Sequence, residues 1–322
     1  MRGNLTKKNK FRSLDAMVKK LAKSWMNLPD RASAEVIFIS PHQGGAGLLP
    51  IADLCDVAAL CRCFKLLSSR DNSIKNFAIQ DLSSVVKRKI CRDPTSQDLI
   101  DYLNGEMSGD FARDGGDVEN IWSCCRKASR RLCKQISLAW SYNNQMQSFQ
   151  LSWSFPVTKK EIFIDSKSHH LVYRFLRHAL QDFYLNSLLA KPDQGKVYKA
   201  SSLSPASNHF LRNGNFTRFC DWRFLHQARL NLVKLNGNVR HTRNDKRCRR
   251  CGFVTESLPH VLNHCKSHSL GWQRRHNDVL NRLIRAIPKP TSPQQLMLVN
   301  KKVPLSNLPL RPDLVLLDHS RK

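Results

Sequence analysis

Apolar residues recur at helical spacing along much of the chain. Residues 12–28 place six of them on one face with lysines opposite: Leu14, Met17, Val18, Leu21, Trp25 and Leu28. Two further helices are predicted over residues 53–67 and 73–90, and the pattern returns from Val118 to Ala139. Spacings of three and four residues give a helix one apolar side. The chain is therefore predicted to be mainly α-helical.

Other stretches interrupt or widen this pattern. The glycine-rich residues 41–51 lack a Gly-Lys-Ser/Thr ending, which predicts a turn and not a phosphate cradle. Residues 93–117 are the most acidic part and are expected to contain a flexible connection. Residues 171–188 carry a wide apolar stripe typical of a core helix. Residues 191–217 are rich in Pro, Gly, Ser and Asn, which predicts a linker or an extended arm.

The charge of the chain changes the picture. Among 322 residues, 53 Lys and Arg stand against 25 Asp and Glu, which leaves a net charge of +28. A field of that size favours a polyanionic partner, and nucleic acid is the commonest one. DNA and RNA are therefore the expected partners, while no amphipathic segment with a lone cationic face supports a membrane surface.

Three basic groups are candidates for contacting nucleic acid. The polar face of the helix predicted from Val118 carries five like charges without interleaved acids, which favours a phosphate-binding surface over a merely solvated face: Arg126, Lys127, Arg130, Arg131 and Lys134. The stretch "RFCDWRFLHQARLNL" interleaves aromatic residues with Arg218, Arg223 and Arg229. Such a stretch can clamp single-stranded bases, although an ordinary amphipathic helix has the same pattern. The third group surrounds a cysteine-rich segment: Arg240, Arg243, Lys246, Arg247, Arg249 and Arg250.

The N-terminal stretch "MRGNLTKKNKF" lacks the apolar region of a signal peptide, and the apolar runs are too short to span a membrane. We therefore expect an intracellular protein that is not secreted, with a nuclear location. In that compartment the eleven cysteines are expected to be reduced thiols or metal ligands and not a disulfide framework.

The stretch "CRRCGFVTESLPHVLNHC", residues 248–265, concentrates potential metal ligands. Cys248 and Cys251 are separated by two residues, so one turn can present both sulfurs to one ion. Thiolates are good zinc ligands, and such a turn is a common first half of a structural zinc site. The sequence therefore predicts a structural metal site here.

Two pairs of residues can complete the site. His264 and His268 give the spacing of a two-cysteine-two-histidine finger. His260 and Cys265 give a three-cysteine-one-histidine site instead. We favour the second pair because Ser257 and Pro259 are signals for a helix start, which places the histidine near the N-terminal end facing the cysteine turn. This ligand set also includes the thiolate of Cys265, which would not bind the metal in the two-cysteine-two-histidine finger.

Segments over most of the chain have counterparts in one known family, with the most specific matches between about Arg218 and Leu317. "LDAMVKKLAKSWMNLP" with "GGAGLLPI" is similar to its helical thumb, and "FTRFCDWRFLHQARLNL" to the linker that follows. "CRRCGFVTESLPHVLNHC" is similar to its cysteine-histidine knuckle, and "RRHNDVLNRLI" with "RPDLVLLD" to the opening of its nuclease. In these segments the chain resembles the C-terminal part of polyproteins from site-specific non-LTR retrotransposons of the "R two" type.

The resemblance implies four modules. They are a helical thumb-like domain at 1–140, a helical linker with an extended arm at 141–235, a zinc knuckle at 236–270 and a truncated restriction-like endonuclease start at 271–322. The implied fold class is mainly α, with the beginning of an α/β nuclease at the end. The resemblance also implies that zinc is bound by Cys248, Cys251, His260 and Cys265.

Further residues take roles from the same resemblance. Arg229 and Asn231 fall in a segment that touches nucleic acid in the family, although arginine here stands in place of a histidine. Arg275 and His276 match a basic segment ahead of the nuclease core. Asp313 in "RPD" matches the first catalytic carboxylate.

Two departures from the family bear on activity. No Asp-Asp pair of a polymerase palm occurs in the chain, and Asp318 and Lys322 have three residues between them where the nuclease has one. We therefore expect a zinc-dependent nucleic-acid-binding fragment of such a polyprotein that contacts target DNA and element RNA and is inactive alone. Magnesium would bind only if further residues completed the nuclease site. The alternative is that the chain acts as the parent reverse transcriptase and endonuclease.

Overall fold

Helices form most of the described chain. The computed structural model describes the following residues: 8–113, 119–154, 161–211, 217–238, 245–290, 292, 294–304 and 311–318. They belong to two compact units, Met1–Leu232 and Val233–Lys322, which we call unit 1 and unit 2. The prediction of a mainly helical chain with small additional sheets is confirmed. The four-module division implied by the resemblance stays a prediction.

The described part of unit 1 contains nine α-helices and one sheet. The helices are α1 (Lys8–Trp25), α2 (Glu35–Phe38), α3 (Ile51–Leu67), α4 (Asn72–Ile90), α5 (Ser96–Asn104), α6 (Ile121–Ile136), α7 (Val172–Leu189), α8 (Tyr198–Ser201) and α9 (Phe219–Arg229). The strands β1 (Ala139–Asn143), β2 (Ser148–Ser154) and β3 (Glu161–Ile164) form an antiparallel sheet in that order.

Side-chain caps fix where several helices begin. The carboxylate of Asp71 accepts hydrogen bonds from the first amides of α4. Thr95 and Asp98 form a capping box at the start of α5, and Asn120 and Ser123 form another at the start of α6. These caps satisfy amides that have no partner within the helix. The acidic residues 93–117, which are expected to contain a flexible connection, thus include the well-capped helix α5, and residues 114–117 lie outside the described part of the chain.

The helical pattern read to Ala139 extends too far. α6 ends at Ile136 because Ser137 adopts a left-handed conformation (φ 50°). Ala139 then begins β1, where Trp140 is 2 % exposed and lies opposite Leu151 of β2. The core of unit 1 is built mainly by α3, α4, α6, α7 and this sheet. The predicted apolar stripe of α7 lies in that core. Val172, the first residue of the helix, is fully buried.

Residues 191–211 do not form the predicted linker or extended arm. They fold into α8 and a 3-10 helix (Pro205–Leu211). Tyr198 and Asn208 are fully buried, and Phe210 is 5 % exposed. The Asn208 side chain donates to the carbonyl oxygens of His42 (2.7 Å) and Ser201 (2.8 Å). The hydrogen bond to His42 ties the segment to the glycine-rich turn, and local composition gives no sign of it.

The glycine-rich residues 41–51 form a turn, as predicted. Ser40 caps a 3-10 helix (Pro41–Gln43), and Gly44 follows with φ 99°. A Cβ atom on Gly45 would stand 2.5 Å from the carbonyl oxygen of Val36 and from that of Ile39. Glycine is thus required by close backbone packing and not by a phosphate.

α1 buries a different face from the one its apolar stripe indicates. Ala22 is 2 % exposed and joins the core, as do Met26 and Leu28 after the end of the helix. The side chains that remain exposed by 42–60 % are Leu14, Met17, Leu21 and Trp25. The apolar pattern predicted the helix α1 correctly, but it did not predict which side of the helix is buried.

Unit 2 contains the cysteine-rich stretch, one long helix and a two-stranded sheet. A π-helix (His260–His264) precedes α10 (Ser269–Ala286). β4 (Gln295–Val299) and β5 (Leu314–Asp318) pair in antiparallel register, with Leu296 opposite Leu317. Across the described residues of both units, no helix is long and apolar enough to cross a membrane.

Candidate metal centre and basic surface

Four side chains of unit 2 converge on one point. The ligand atoms of Cys248, Cys251, His260 and Cys265 all lie within 4.8 Å of one another. The Sγ atoms of Cys248 and Cys265 are 3.9 Å apart, and Sγ of Cys251 lies 3.2 Å from Nε2 of His260. Three thiolates and one imidazole are a common ligand set for structural zinc. The cluster could therefore hold a structural metal such as zinc.

The turn that carries the first two cysteines is held by backbone hydrogen bonds. The amide of Cys248 donates to the carbonyl of Phe253 (2.8 Å), and the amide of Gly252 donates to the carbonyl of Cys248 (2.9 Å). Gly252 has φ 73°, a conformation that favours glycine. Hydrogen bonds from the backbone of Arg250 and Cys251 lower the pKa of Cys248 to about 6. The metal-binding thiolate form of this residue is thus already favoured at neutral pH.

The other two ligands flank the π-helix. The amide of Cys265 donates to the carbonyl of His260 at 2.8 Å, which closes one wide helical turn. The imidazole of His260 stacks on the ring of Phe253, with centroids 4.7 Å apart and an interplanar angle of 7°. Burial, followed by the neighbouring sulfurs of Cys251 and Cys248, raises the pKa of Cys265. A cation would relieve this crowding of sulfurs.

The alternative ligand pair is not part of the cluster. His264 is exposed, and His268 is half-buried. Neither belongs to the group of ligand atoms that meet within 4.8 Å. The helix whose start is signalled by Ser257 and Pro259 is interrupted at Cys265, which has an extended backbone (ψ 110°). That break turns the fourth ligand inward and leaves the two histidines outside.

Glu256 stabilises the cysteine turn through hydrogen bonds. Its carboxylate is almost fully buried, and it accepts hydrogen bonds from the amide of Asn236 (2.8 Å) and from Nε of Arg249 (3.0 Å). Burial opposes ionisation of Glu256, but these hydrogen bonds outweigh it and lower its pKa. This residue was missed by the sequence analysis, although it is the only acid between Lys246 and Asn277.

Unit 1 matches a known family. The sequence profile of the T26G10.4 domain matches residues 57–232. The chain belongs to the T26G10.4 domain family. The match runs from within α3 to Leu232, the last residue of unit 1, so the metal cluster lies outside the family domain. No curated protein matches the chain.

The basic face predicted on α6, within the T26G10.4 domain, is divided by burial. Arg126 is 4 % exposed, and its guanidinium lies over the rings of Tyr102 and Phe111. Arg131 forms a two-point ion pair with the buried carboxylate of Asp56. These two arginines stabilise the domain and are not a free phosphate-binding surface. The exposed basic residues of the predicted set are Lys127, Arg130 and Lys134.

The arginines at the start and in the middle of α9 also have partners within unit 1. Arg218 pairs with Asp221, which lies one helical turn away (2.8 Å). Arg223 donates through Nε to the carbonyl of Trp25 (2.7 Å) and lies over the ring of Phe219 (4.2 Å). Arg218 and Arg223 would have to break these contacts before either could bind a base.

The segment that the resemblance implies in nucleic-acid contact is engaged in the same way. Arg229 donates to Oδ1 of Asn208 and to the carbonyl of Ser207, both at 2.6 Å. Asn231 has φ 55°, and its amide donates to Asp193 at 2.9 Å. Both side chains therefore hold the folded segment 193–211 in place, a role that the sequence pattern does not reveal.

His226 of α9 predicts a pH-dependent stability of the T26G10.4 domain. It is fully buried, with its ring edge-on to Trp222 (centroids 4.5 Å apart), and among the described residues both ring nitrogens lack a hydrogen-bond partner. Burial, with a smaller contribution from Arg229, lowers its pKa from 6.5 to about 4. Because the unfolded chain binds the proton first, stability is lost as the pH falls from 6.5 towards 4.

We expect the free energy of unfolding to be about 2 kcal/mol lower at about pH 5 than at about pH 7 through this group. Denaturant unfolding at the two pH values measures it. His226→Phe, which cannot be protonated, is the matched variant and should lose most of this difference. An equal pH dependence in the variant would contradict the assignment to His226.

The basic residues beside the metal cluster differ in whether their side chains have partners. Arg249 is held by Glu256 and by the carbonyl of Lys234 (3.2 Å), so its role is structural. Lys246, Arg247 and Arg250 are exposed, and only Arg247 has an ion-pair partner among the described residues, a loose one to Asp245 (3.7 Å). Two further predicted contacts, Arg240 and Arg243, lie outside the described residues.

Two of the three residues that the resemblance matches to the nuclease, His276 and Asp313, contact each other in unit 2. Nε2 of His276 lies 3.1 Å from the carboxylate of Asp313, and this hydrogen bond raises the pKa of His276. Arg275 donates to Oδ1 of Asn263 (2.8 Å). Within the described residues, the only group of three or more potential metal ligands is the cysteine-histidine cluster. Asp313 is thus paired with an imidazole and belongs to no group of potential metal ligands among the described residues.

Proposed function

We propose that the chain binds nucleic acid and that a structural zinc ion in unit 2 fixes the binding surface. One observation carries the proposal. Lys246, Arg247 and Arg250 are exposed on the same turn that presents Cys248 and Cys251 to the metal. A metal that fixes the turn also fixes its cationic side chains, so they can meet phosphates with little loss of conformational freedom.

The distribution of charge supports unit 2 as the binding end. Residues 233–322 contain eighteen Lys and Arg against five Asp and Glu, which gives +13 for 90 residues. Residues 1–232 contain thirty-five against twenty, which gives +15 for 232 residues. The excess positive charge per residue is therefore more than twice as high in unit 2. Polyanions collect where the positive potential is strongest.

The chemistry of the ligands selects the metal. Thiolate sulfur and imidazole nitrogen suit zinc, whereas magnesium prefers oxygen ligands and keeps much of its water. All four ligands come from protein, so no position is left open for a substrate. We assign zinc a structural role, and magnesium has no place at this cluster.

We further propose that the chain derives from a non-LTR retrotransposon polyprotein of the "R two" type. The support is the order of a cysteine-histidine knuckle, a basic helix and a Pro-Asp pair directly before a strand in unit 2, together with the quoted segments. On this proposal the nucleic acids are target DNA and element RNA, and the protein works in the nucleus.

The knuckle surface is tested by removing its free charges. Replacing Lys246, Arg247 and Arg250 with Gln should weaken binding to labelled DNA and RNA oligonucleotides uniformly across sequences. The slope of log affinity against log salt should become shallower by about 1 for each residue that contacts a phosphate. Fluorescence anisotropy over a range of KCl concentrations measures both quantities.

The matched control removes the same charge elsewhere in unit 2. Lys289, Lys301 and Lys302 are exposed, and all three follow the end of α10 in the sequence. Their triple replacement by Gln should change affinity much less than the knuckle replacement. Equal losses in the two variants would mean that total charge, and not the knuckle surface, determines binding.

Endonuclease activity is the second candidate function, because His276 and Asp313 contact each other at 3.1 Å. We expect no efficient cleavage from the chain alone, since one carboxylate holds magnesium weakly. Nicking of supercoiled plasmid in magnesium or manganese is the measurement, with Asp313→Ala as the control. Magnesium-dependent nicking that disappears in the variant would establish the parent enzyme's nuclease and contradict this expectation.

A further inference from the structure

A cleft of 470 Å³ lies beside the metal cluster in unit 2. It is lined by Asn263 of the π-helix and by five residues of α10: Trp272, Gln273, Arg275, His276 and Asn277. Its volume is in the range of small-molecule sites. Asn263 stands between the metal ligands His260 and Cys265 in sequence, so the metal cluster fixes one wall of the cleft.

The cleft has one aromatic wall. Trp272 is half-buried, and its indole nitrogen is buried with no hydrogen-bond partner among the described residues. The indole offers a large flat surface to another ring. The wall therefore suits a planar ligand.

The polar wall is held in place before any ligand arrives. The guanidinium of Arg275 donates to the carbonyl of Leu262 (3.1 Å) and to Oδ1 of Asn263 (2.8 Å), which joins α10 to the π-helix. Nδ1 of His276 lies 3.2 Å from Oδ1 of Asn277. The amide oxygens of both asparagines are thus engaged, while their NH2 groups have no partner among the described residues. Fixed polar groups of this kind bind with little loss of conformational freedom.

We propose that this cleft binds one unpaired nucleobase of a single strand. The base would stack on Trp272, and the NH2 groups of Asn263 and Asn277 would donate to acceptors on its edge. Arg275 offers a charge for the adjoining phosphate. This inference rests on the proposed function, because it names the form of nucleic acid that the same unit takes.

The surroundings favour a nucleotide over a peptide as the occupant. Residues 245–290 contain ten Lys and Arg against three Asp and Glu, so the cleft lies in a strongly cationic segment. An anionic ligand is attracted there, whereas a basic or neutral peptide is not. A base inside an intact duplex has its edges paired and its faces stacked, so the cleft selects an unpaired one.

The test uses oligonucleotides that contain one 2-aminopurine, whose fluorescence is quenched by stacking. Single-stranded DNA, single-stranded RNA and duplex DNA of equal length are titrated with the full-length, zinc-loaded protein. We expect quenching with one or both single strands and little with the duplex. The DNA and RNA arms decide which strand supplies the base.

Trp272→Ala should abolish the quenching and weaken single-strand binding about 5- to 100-fold, while leaving duplex binding unchanged. Trp272→Phe, which keeps a stacking ring, should retain much of both effects. The matched control is Val279→Ala, an exposed residue of the same helix that does not line the cleft. Zinc content in each variant reports whether unit 2 is still folded.

The outcomes separate this inference from the proposed function. If the wild type binds no oligonucleotide, the proposed function is wrong. If it binds single and double strands alike, and Trp272→Ala with full zinc content binds as the wild type does, the proposed function stands and the base-binding cleft is wrong.

Discussion

Cys265→Ser is expected to release the metal and unfold the cysteine-histidine knuckle, whereas His268→Ala is expected to do neither. Cys265 is fully buried, and its Sγ is one of the four ligand atoms that meet within 4.8 Å. Zinc-finger peptides derive about 10–16 kcal/mol of folding free energy from zinc, so a lost ligand removes the main stabilising interaction of the knuckle. The imidazole of His268 is outside the group and contributes none of it.

Metal stoichiometry of the two purified variants measures this difference. We expect one zinc per chain in the wild type and in His268→Ala, and much less than one in Cys265→Ser. His264→Ala serves as a second control, because His264 is exposed. Loss of zinc from His268→Ala together with retention in Cys265→Ser would establish the two-cysteine-two-histidine finger instead.

Binding to nucleic acid is expected to weaken steeply with salt. Each neutralised phosphate of duplex DNA contributes about −0.9 to the slope of log affinity against log salt. Unit 2 alone carries a net charge of +13, enough for several such contacts. With about six contacts, raising the salt from about 50 to about 200 mM should weaken binding about 10³-fold.

Titrations of unrelated DNA and RNA sequences at four or more salt concentrations provide this slope. Since phosphate contacts do not read bases, the slopes for different sequences of one type of nucleic acid should agree. The knuckle triple variant described above should give a shallower line through the same salt range. A slope near zero would contradict a phosphate-binding surface, whatever the affinity at one salt concentration.

Local signals allowed several elements to be predicted from sequence. The helices predicted at 53–67 and 73–90 correspond to α3 and α4, each of which begins within two residues of the predicted start. Their apolar stripes are bounded by Pro50 before α3 and by the Asp71 cap before α4. Both signals act within one turn of the helix end, so they can be read without knowing the rest of the fold.

Residues 191–211 could not be predicted in the same way. Their Pro, Gly, Ser and Asn content is typical of a linker, but Asn208 and Tyr198 are fully buried. Asn208 reaches His42, which is 166 positions away in sequence. Burial here depends on long-range hydrogen bonds, and composition alone does not indicate them.

The candidate site shows the same division. The spacing of Cys248, Cys251, His260 and Cys265 indicated a metal site, because ligands from two short turns need only local geometry to meet. The roles of individual arginines needed the structure. Arg131 finds its carboxylate partner in Asp56, 75 positions earlier, and a charge pattern along one helix does not reveal such a pair.

If a metal-held knuckle forms the nucleic-acid-binding surface, removing zinc should weaken binding. Oligonucleotide affinity is measured on one preparation of the full chain as purified, after zinc removal with a chelator under reducing conditions, and after zinc is restored. We expect affinity to fall at least about tenfold on removal, because the turn that carries Lys246, Arg247 and Arg250 loses its fixed geometry. We expect affinity to recover when zinc is restored. Affinity that is the same in all three states, with zinc content verified in each, would contradict a binding surface held by the metal.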